Sequence, residues 1–251
     1  MIIKIMRKRF ILIVAILVFV SISIAFAEES TTVKEGRLEK ELYIEEKNND
    51  LTIADSKIKG NNKFKKADKS EKSSKSKKSK KDIKNIKILS KTKSNVEQMQ
   101  EWARNNGASE TFINLAPIYM DLATKAGINP EGIYAQAAHE TGYGNFGGVI
   151  DETYYNPCGL KIKKGGGNKD PKAHQKFKNW EEGIQAHIDH LALYAGASGY
   201  PKDNSPDPRH FPYLLNTVEK FRALGGKWAP SNSYGKKIEK LVEDVYNTSV
   251  D

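Results

Sequence analysis

Glu140 has the most chemistry to offer. It stands near the end of the run Ala135-Gln-Ala-Ala-His-Glu-Thr-Gly-Tyr-Gly144, where a helical register puts Ile133, Ala137 and Glu140 on one face. The carboxylate therefore shares the apolar side of the helix. Burial there raises a carboxyl's pKa, and a carboxyl kept protonated near neutral pH is the form that can donate a proton to a leaving oxygen, as glycoside hydrolysis requires. The alternative is a glutamate at a helix end pointing to water. His139 beside it invites a zinc reading, but H-E-x-x-H would need a histidine where Tyr143 stands. His187 and His190, with His174, have no cysteine or carboxylate cluster at ligand spacing to join them, so no metal is expected. Nucleophile and phosphate-loop motifs are absent from the sequence, and Cys158 follows a proline with no helix start to activate it. It reads as a small packed residue.

Helices must position these groups. Ser94 and Glu97, three apart, suggest a capping box opening a helix that runs to Gly107. Phe112, Leu115, Tyr119, Leu122 and Ala126 recur at helical spacing and predict a helix over 109–126, kinked at Pro117 and stopped by Gly127. The helix carrying Glu140 has the clearest start, with Asn129 as cap and Pro130 at the first position, and Gly142 ends it. Asn179 and Glu182 form a second capping box before Ile184, His187, Ile188, Leu191 and Tyr194. Further helices are expected over 212–224 and 233–246. Between Tyr143 and Asn179 the chain is rich in Gly, Asn, Asp and Tyr, which predicts a small β-hairpin lobe around Gly165-Gly-Gly167. The fold class is therefore α+β and mainly α, one helical domain over 94–251. Aromatic residues gather in its loops, among them Tyr143, Trp228 and Tyr234. Such amphipathic rings suit sugar faces, though core packing would also use them.

The chain has 251 residues and one cysteine, which excludes an intrachain disulfide framework. Its formal net charge of +10 is unevenly spread. Residues 1–27 carry four basic and no acidic residues, 28–95 carry 20 basic against 12 acidic, and 96–251 carry 17 against 19. The compact part is slightly acidic, so nucleic acid loses its support as a partner. Residues 1–27 read as a secretory signal, with Lys4 to Arg9 before an apolar run and Ala25-Phe-Ala27 as the cleavage site. A retained membrane anchor is the other reading of the same stretch. Either implies a secreted or wall-associated protein. Residues 28–93, including Ser-Glu-Lys-Ser-Ser-Lys-Ser-Lys-Lys-Ser-Lys-Lys at 70–81, read as a disordered, lysine-rich tether. A solvated spacer is its plain role, and adhesion to an anionic wall polymer or membrane surface its sharper one.

With these residues in view, the chain resembles the glucosaminidase family of bacterial peptidoglycan hydrolases, glycoside hydrolase family 73. The resemblance rests on the Ala135–Gly144 run, on Asn156-Pro-Cys-Gly-Leu-Lys161 sixteen residues after Glu140, on Phe177-Lys-Asn-Trp-Glu-Glu-Gly-Ile184, and on Trp228-Ala229 with Tyr234. It implies a lysozyme-like fold and an endo-β-N-acetylglucosaminidase that cuts glycan strands of peptidoglycan, with Glu140 as general acid and no cofactor; a monomer is expected. Asn156, Gly159 and Lys161 match the family's Asn-x-x-Gly-Ile-Lys turn, and Tyr143, Trp228 and Tyr234 join them as expected substrate contacts. Two departures stand out. The family's longer hairpin with a second glutamate is here short, which leaves Asp170 as the candidate second carboxylate at the about 6.5–9.5 Å an inverting reaction needs. Assistance by the substrate's 2-acetamido group would need none. Trp228 stands where a tyrosine is usual. Lytic transglycosylase or muramidase chemistry on a similar fold, and a non-catalytic wall-binding module, remain alternatives.

Overall fold

The computed structural model describes residues 85–250. The expected signal over 1–27 and residues 28–84 of the expected tether lie outside the described residues. What is described is mainly helical. α1 (Val96–Asn105) buries Met99, Trp102 and Ala103, a three-and-four spacing along one face. Its cap is Asn95, whose side chain accepts from Gln98 N–H at 2.8 Å. Ser94, the expected cap, instead donates its hydroxyl to Glu131 at 2.8 Å. The single helix expected over 109–126 is two, α2 (Glu110–Asn114) and α3 (Ala116–Lys125), because Pro117 has no N–H with which to continue α2 and sits instead in the first turn of α3.

α4 (Pro130–Thr141) is the central helix and carries Glu140. Its ends follow the expected chemistry: Asn129 accepts from Gly132 N–H at 2.7 Å, and Gly142 closes it in the left-handed region at φ 57°. Almost all of α4 is buried, between α3 and α6 (Tyr234–Tyr246). α6 turns Tyr234, Ile238, Val242 and Val245 into the same core. α5 (Trp180–Ala195) is capped by Asn179 as expected, but Glu182 accepts from Lys178 N–H at 2.7 Å and not from the cap residue.

Two expectations are corrected here. The helix expected over 212–224 is a pair of 3-10 turns, Pro212–Leu214 and Phe221–Leu224. The segment between them spends its backbone groups elsewhere: Glu219 C=O accepts from Ile88 N–H at 3.0 Å and Val218 N–H donates to Tyr194 C=O at 2.9 Å. The β-hairpin is likewise not formed. Among the described residues the lobe has one isolated bridge, Lys161 to His174, flanked by Ile162 N–H to Ala173 C=O and Gln175 N–H to Leu160 C=O. Between its arms run Lys, Gly, Asn and Asp, residues with poor strand propensity, and Pro171 opens a 3-10 turn. A small second core of Cys158, Leu160, Phe177 and Ala186 holds this lobe. Burial pushes the Cys158 thiol well up, so it stays protonated.

The domain also begins before Ser94. Ile86 and Ile88 are buried in the main core, and Phe221 N–H and Asn129 N–H donate to the carbonyls of Ile86 and Ile88 at 3.0 and 2.8 Å. Two buried carboxylates clamp the segment. Glu131 Oε1 accepts from Lys93 N–H, Ser94 N–H, Thr92 Oγ1 and Ser94 Oγ. Glu239 accepts from Ile86 N–H at 3.1 Å and grips Arg222 at 2.6 Å. Residues 85–93 are therefore part of the domain and not of the tether. Ile88→Ala in the full chain should cost about 2–5 kcal/mol, the range for emptying a fully buried aliphatic site. Denaturant unfolding measures this, and an unchanged midpoint would place Ile88 outside the cooperative core.

Candidate active site

Glu140 sits in the last turn of α4, exposed by area yet set in a crowded protein surround. Two donors converge on one of its oxygens. Trp228 Nε1–H donates to Oε1 at 3.0 Å, and the Tyr234 hydroxyl donates to the same atom. Neither reaches Oε2. Desolvation pushes the carboxyl up from 4.5 to about 7, against the opposing pull of the hydrogen bonds from Tyr234 and Trp228. The side chain can thus be protonated near neutral pH on the oxygen that faces neither donor.

Each partner is placed by a local feature. Tyr234 is the first residue of α6, so helix packing against α4 fixes its ring. Trp228 lies in the turn after Phe221–Leu224, tied by Trp228 N–H to Leu224 C=O and Gly226 N–H to Ala229 C=O, both 2.8 Å. Its indole packs against His187 and His190, with ring centroids at 5.5 and 5.3 Å.

The other expected site residues are distributed differently. Tyr143 packs on Trp102, with ring centroids 5.4 Å apart, and its hydroxyl donates to Asn106. Asn156 is fully buried and cannot touch a substrate; its amide donates to Leu160 C=O and Gln175 C=O, and its Oδ1 accepts from Leu160 N–H. Its role is to brace the turn, where Gly159 adopts φ 68°. Lys161 Nζ donates to Gly166 C=O at 2.6 Å. Asp170 Oδ1 accepts from Lys172 N–H at 2.9 Å and caps the short turn at Pro171. The histidines weighed as ligands serve separate networks: His174 pairs with the Asp170 carbonyl, His187 with Tyr119 and Gln136, and His190 with the buried Asp207 at 2.7 Å.

A model of the glucosaminidase family, described as mannosyl-glycoprotein endo-beta-N-acetylglucosaminidase, matches residues 116–247. The chain belongs to the glucosaminidase family. It is also similar to an uncharacterized protein of Borreliella burgdorferi, 30% identical over 167 residues that make up 64% of this chain and 79% of the relative. No solved structure matches it. Family membership makes this protein a glycoside hydrolase that acts on peptidoglycan.

In this glucosaminidase, Trp228 stands where the resemblance led us to expect a tyrosine. The indole N–H reaches Glu140 at hydrogen-bond distance and donates, but an indole cannot accept or relay a proton. Behind Tyr234 lie Gln136 and Tyr119, which sequence reasoning missed, and His187, which it weighed only as a metal ligand. Gln136 was within reach, since a residue four before Glu140 on one helix shares its face. His187 and Tyr119 join it only through the packing of α3, α4 and α5.

Proposed function

We propose that this protein is an endo-β-N-acetylglucosaminidase that cleaves peptidoglycan strands after N-acetylglucosamine, with Glu140 protonating the leaving glycosidic oxygen. The observation that carries this reading is the carboxyl at the end of α4, accessible to substrate, desolvated, and held through Oε1 by Tyr234 and Trp228. Such a group holds a proton near neutral pH and presents it in one direction. Export to the wall rests on the signal-like composition of residues 1–27, and attachment to anionic wall polymers on the lysine-rich stretch that follows.

Mass spectrometry of muropeptides released from purified peptidoglycan tests the bond cleaved. Reducing-end N-acetylglucosamine is expected. A reducing or anhydro N-acetylmuramic end would overturn the bond assignment, and no release at all would leave a binding module.

The group that completes the reaction is the substrate's own 2-acetamido oxygen. Asp170, the candidate base, is engaged in capping its own turn. Asp170→Asn should therefore keep activity within about threefold of wild type, since an asparagine can still cap through its side-chain oxygen. A collapse of the rate together with α-anomeric product by NMR would restore Asp170 as the activating base.

A further inference from the structure

Behind Glu140 a row of hydrogen bonds crosses the core. The Tyr119 hydroxyl meets His187 Nδ1 at 3.2 Å, His187 Nε2 meets Gln136 Oε1 at 3.3 Å, Gln136 Nε2 donates to the Tyr234 hydroxyl at 3.0 Å, and Tyr234 donates to Glu140. Tyr119, Gln136 and His187 are fully buried, so no solvent completes these bonds. We propose that Gln136 and His187 are positioning residues, links in a one-way chain of donors that holds the Tyr234 hydrogen on Glu140 Oε1 and so confines the acid's own proton to Oε2. The inference rests on the reading of Glu140 as the general acid.

The direction follows from the inventory of donors. Trp228 Nε1–H can only donate, so Glu140 Oε1 must be an acceptor. Gln136 turns its amide nitrogen to Tyr234, which occupies a lone pair of the phenol oxygen and leaves its hydrogen for Glu140. The Gln136 oxygen then faces His187 Nε2 and requires a hydrogen there. Burial holds His187 neutral, with its pKa lowered to about 3, so a hydrogen on Nε2 makes Nδ1 an acceptor for the Tyr119 hydroxyl. Each link has one consistent sense. A proton on Oε1 would meet two donors already pointing at that atom, whereas Oε2 faces none.

Tyr234 is the last link of the chain itself, and the other titratable groups around the acid do not supply this orientation. Tyr234 faces it from α6 and Cys158 from the turn after Asn156, and burial keeps both protonated. Beyond Trp228, His190 is paired with Asp207, and His139 packs edge-on with the Tyr234 ring, its pKa lowered by burial and by Lys237.

The test is a double-mutant cycle in the full chain with soluble peptidoglycan fragments as substrate. Gln136→Met keeps the side chain's length but removes both amide links. It should lower kcat by about tenfold with KM within about twofold, the scale of one lost buried hydrogen bond. The alkaline limb of kcat should move to higher pH, because a less firmly held Tyr234 hydrogen stabilises the carboxylate less. In a Tyr234→Phe background the same substitution should do nothing more. A merely structural role would instead lower activity equally in both backgrounds and leave the pH limb in place, and that result would overturn the proposal. Should Gln136→Met not fold, His187→Asn asks the same question one link further back, with the same two outcomes. Glu140→Gln run in parallel separates the two readings: if it retains activity the general-acid assignment fails, and if it is inactive while the cycle is additive only the chain fails.

Discussion

Glu140→Gln should reduce release of glycan fragments by about 10²–10⁴-fold, the contribution of a positioned general acid, while the protein remains fully folded. The site makes this substitution unusually clean. Both donors, Trp228 Nε1–H and the Tyr234 hydroxyl, point at one oxygen of the carboxyl. The amide oxygen of glutamine can accept both, and its NH₂ group takes the place of the protonated Oε2. Shape and hydrogen bonds persist, and only the transferable proton is lost. The wild-type carboxyl, raised to about 7, also sets a pH dependence: activity should hold at pH below about 7 and fall as pH rises through that value. Stability has a matching sign. A carboxyl whose folded pKa lies above its unfolded value binds more protons when folded, so its presence destabilises the fold increasingly as pH rises from 4.5 through about 7. Glu140→Gln should therefore be at least as stable as wild type at pH 8. Chemical denaturation of both proteins at pH 5 and pH 8 checks the stability claim, and wild-type-like glycan release by the variant would remove Glu140 from the mechanism.

Legibility in the sequence tracked the range of the interactions involved. α4 could be read closely because its determinants are local: Asn129 caps, Pro130 starts and Gly142 stops it. α5 yielded to the same reasoning at Asn179. Where the chain's backbone groups are claimed from a distance, local periodicity misled. Leu215–Lys220 carries apolar residues that suit a helix, yet its distant backbone partners are Ile88, Leu193 and Tyr194, and no window around residue 218 contains them. Ile86 and Ile88 alternate with Lys87 in a strand-like pattern, but the surrounding lysines dominate any average and hid two core residues inside an apparent tether. The site divides in the same way. Glu140 was singled out from the face it occupies, whereas its contact with Trp228 spans 88 residues. Asn156 was assigned to the substrate, although buried asparagines serve backbone as readily as ligand, and here every bond recorded for its amide goes to the main chain of the lobe.

Gly235→Ala should damage both stability and catalysis. A Cβ at residue 235 would lie 2.3 Å from the Arg222 carbonyl oxygen and 2.4 Å from that of Phe221. These are backbone atoms, so neither can retreat as a side-chain tip would. The same turn is pinched from the other side, where the Phe221 ring would stand 2.1 Å from a Cβ at Gly132 on α4. Two glycines on facing helices thus admit the Phe221–Leu224 turn between them. Here glycine serves close approach. Overpacking typically costs about 1–3 kcal/mol, and the rigid neighbours put Gly235→Ala at or above the upper end. The consequence for function follows from what the turn carries. Trp228 hangs from Leu224 through its backbone N–H, and Tyr234 immediately precedes the glycine. Forcing α6 from the turn moves the two donors apart while both must reach one oxygen of Glu140. A displacement near 1 Å at a reacting group can cost about 10²-fold in rate. Thermal unfolding and kcat should therefore fall together for Gly235→Ala. Gly148→Ala is the control, since a Cβ at that position meets nothing within 4 Å. If Gly235→Ala melts and turns over like this control, the turn does not set the spacing of Trp228 and Tyr234, and the acid must be held by contacts within α4 itself.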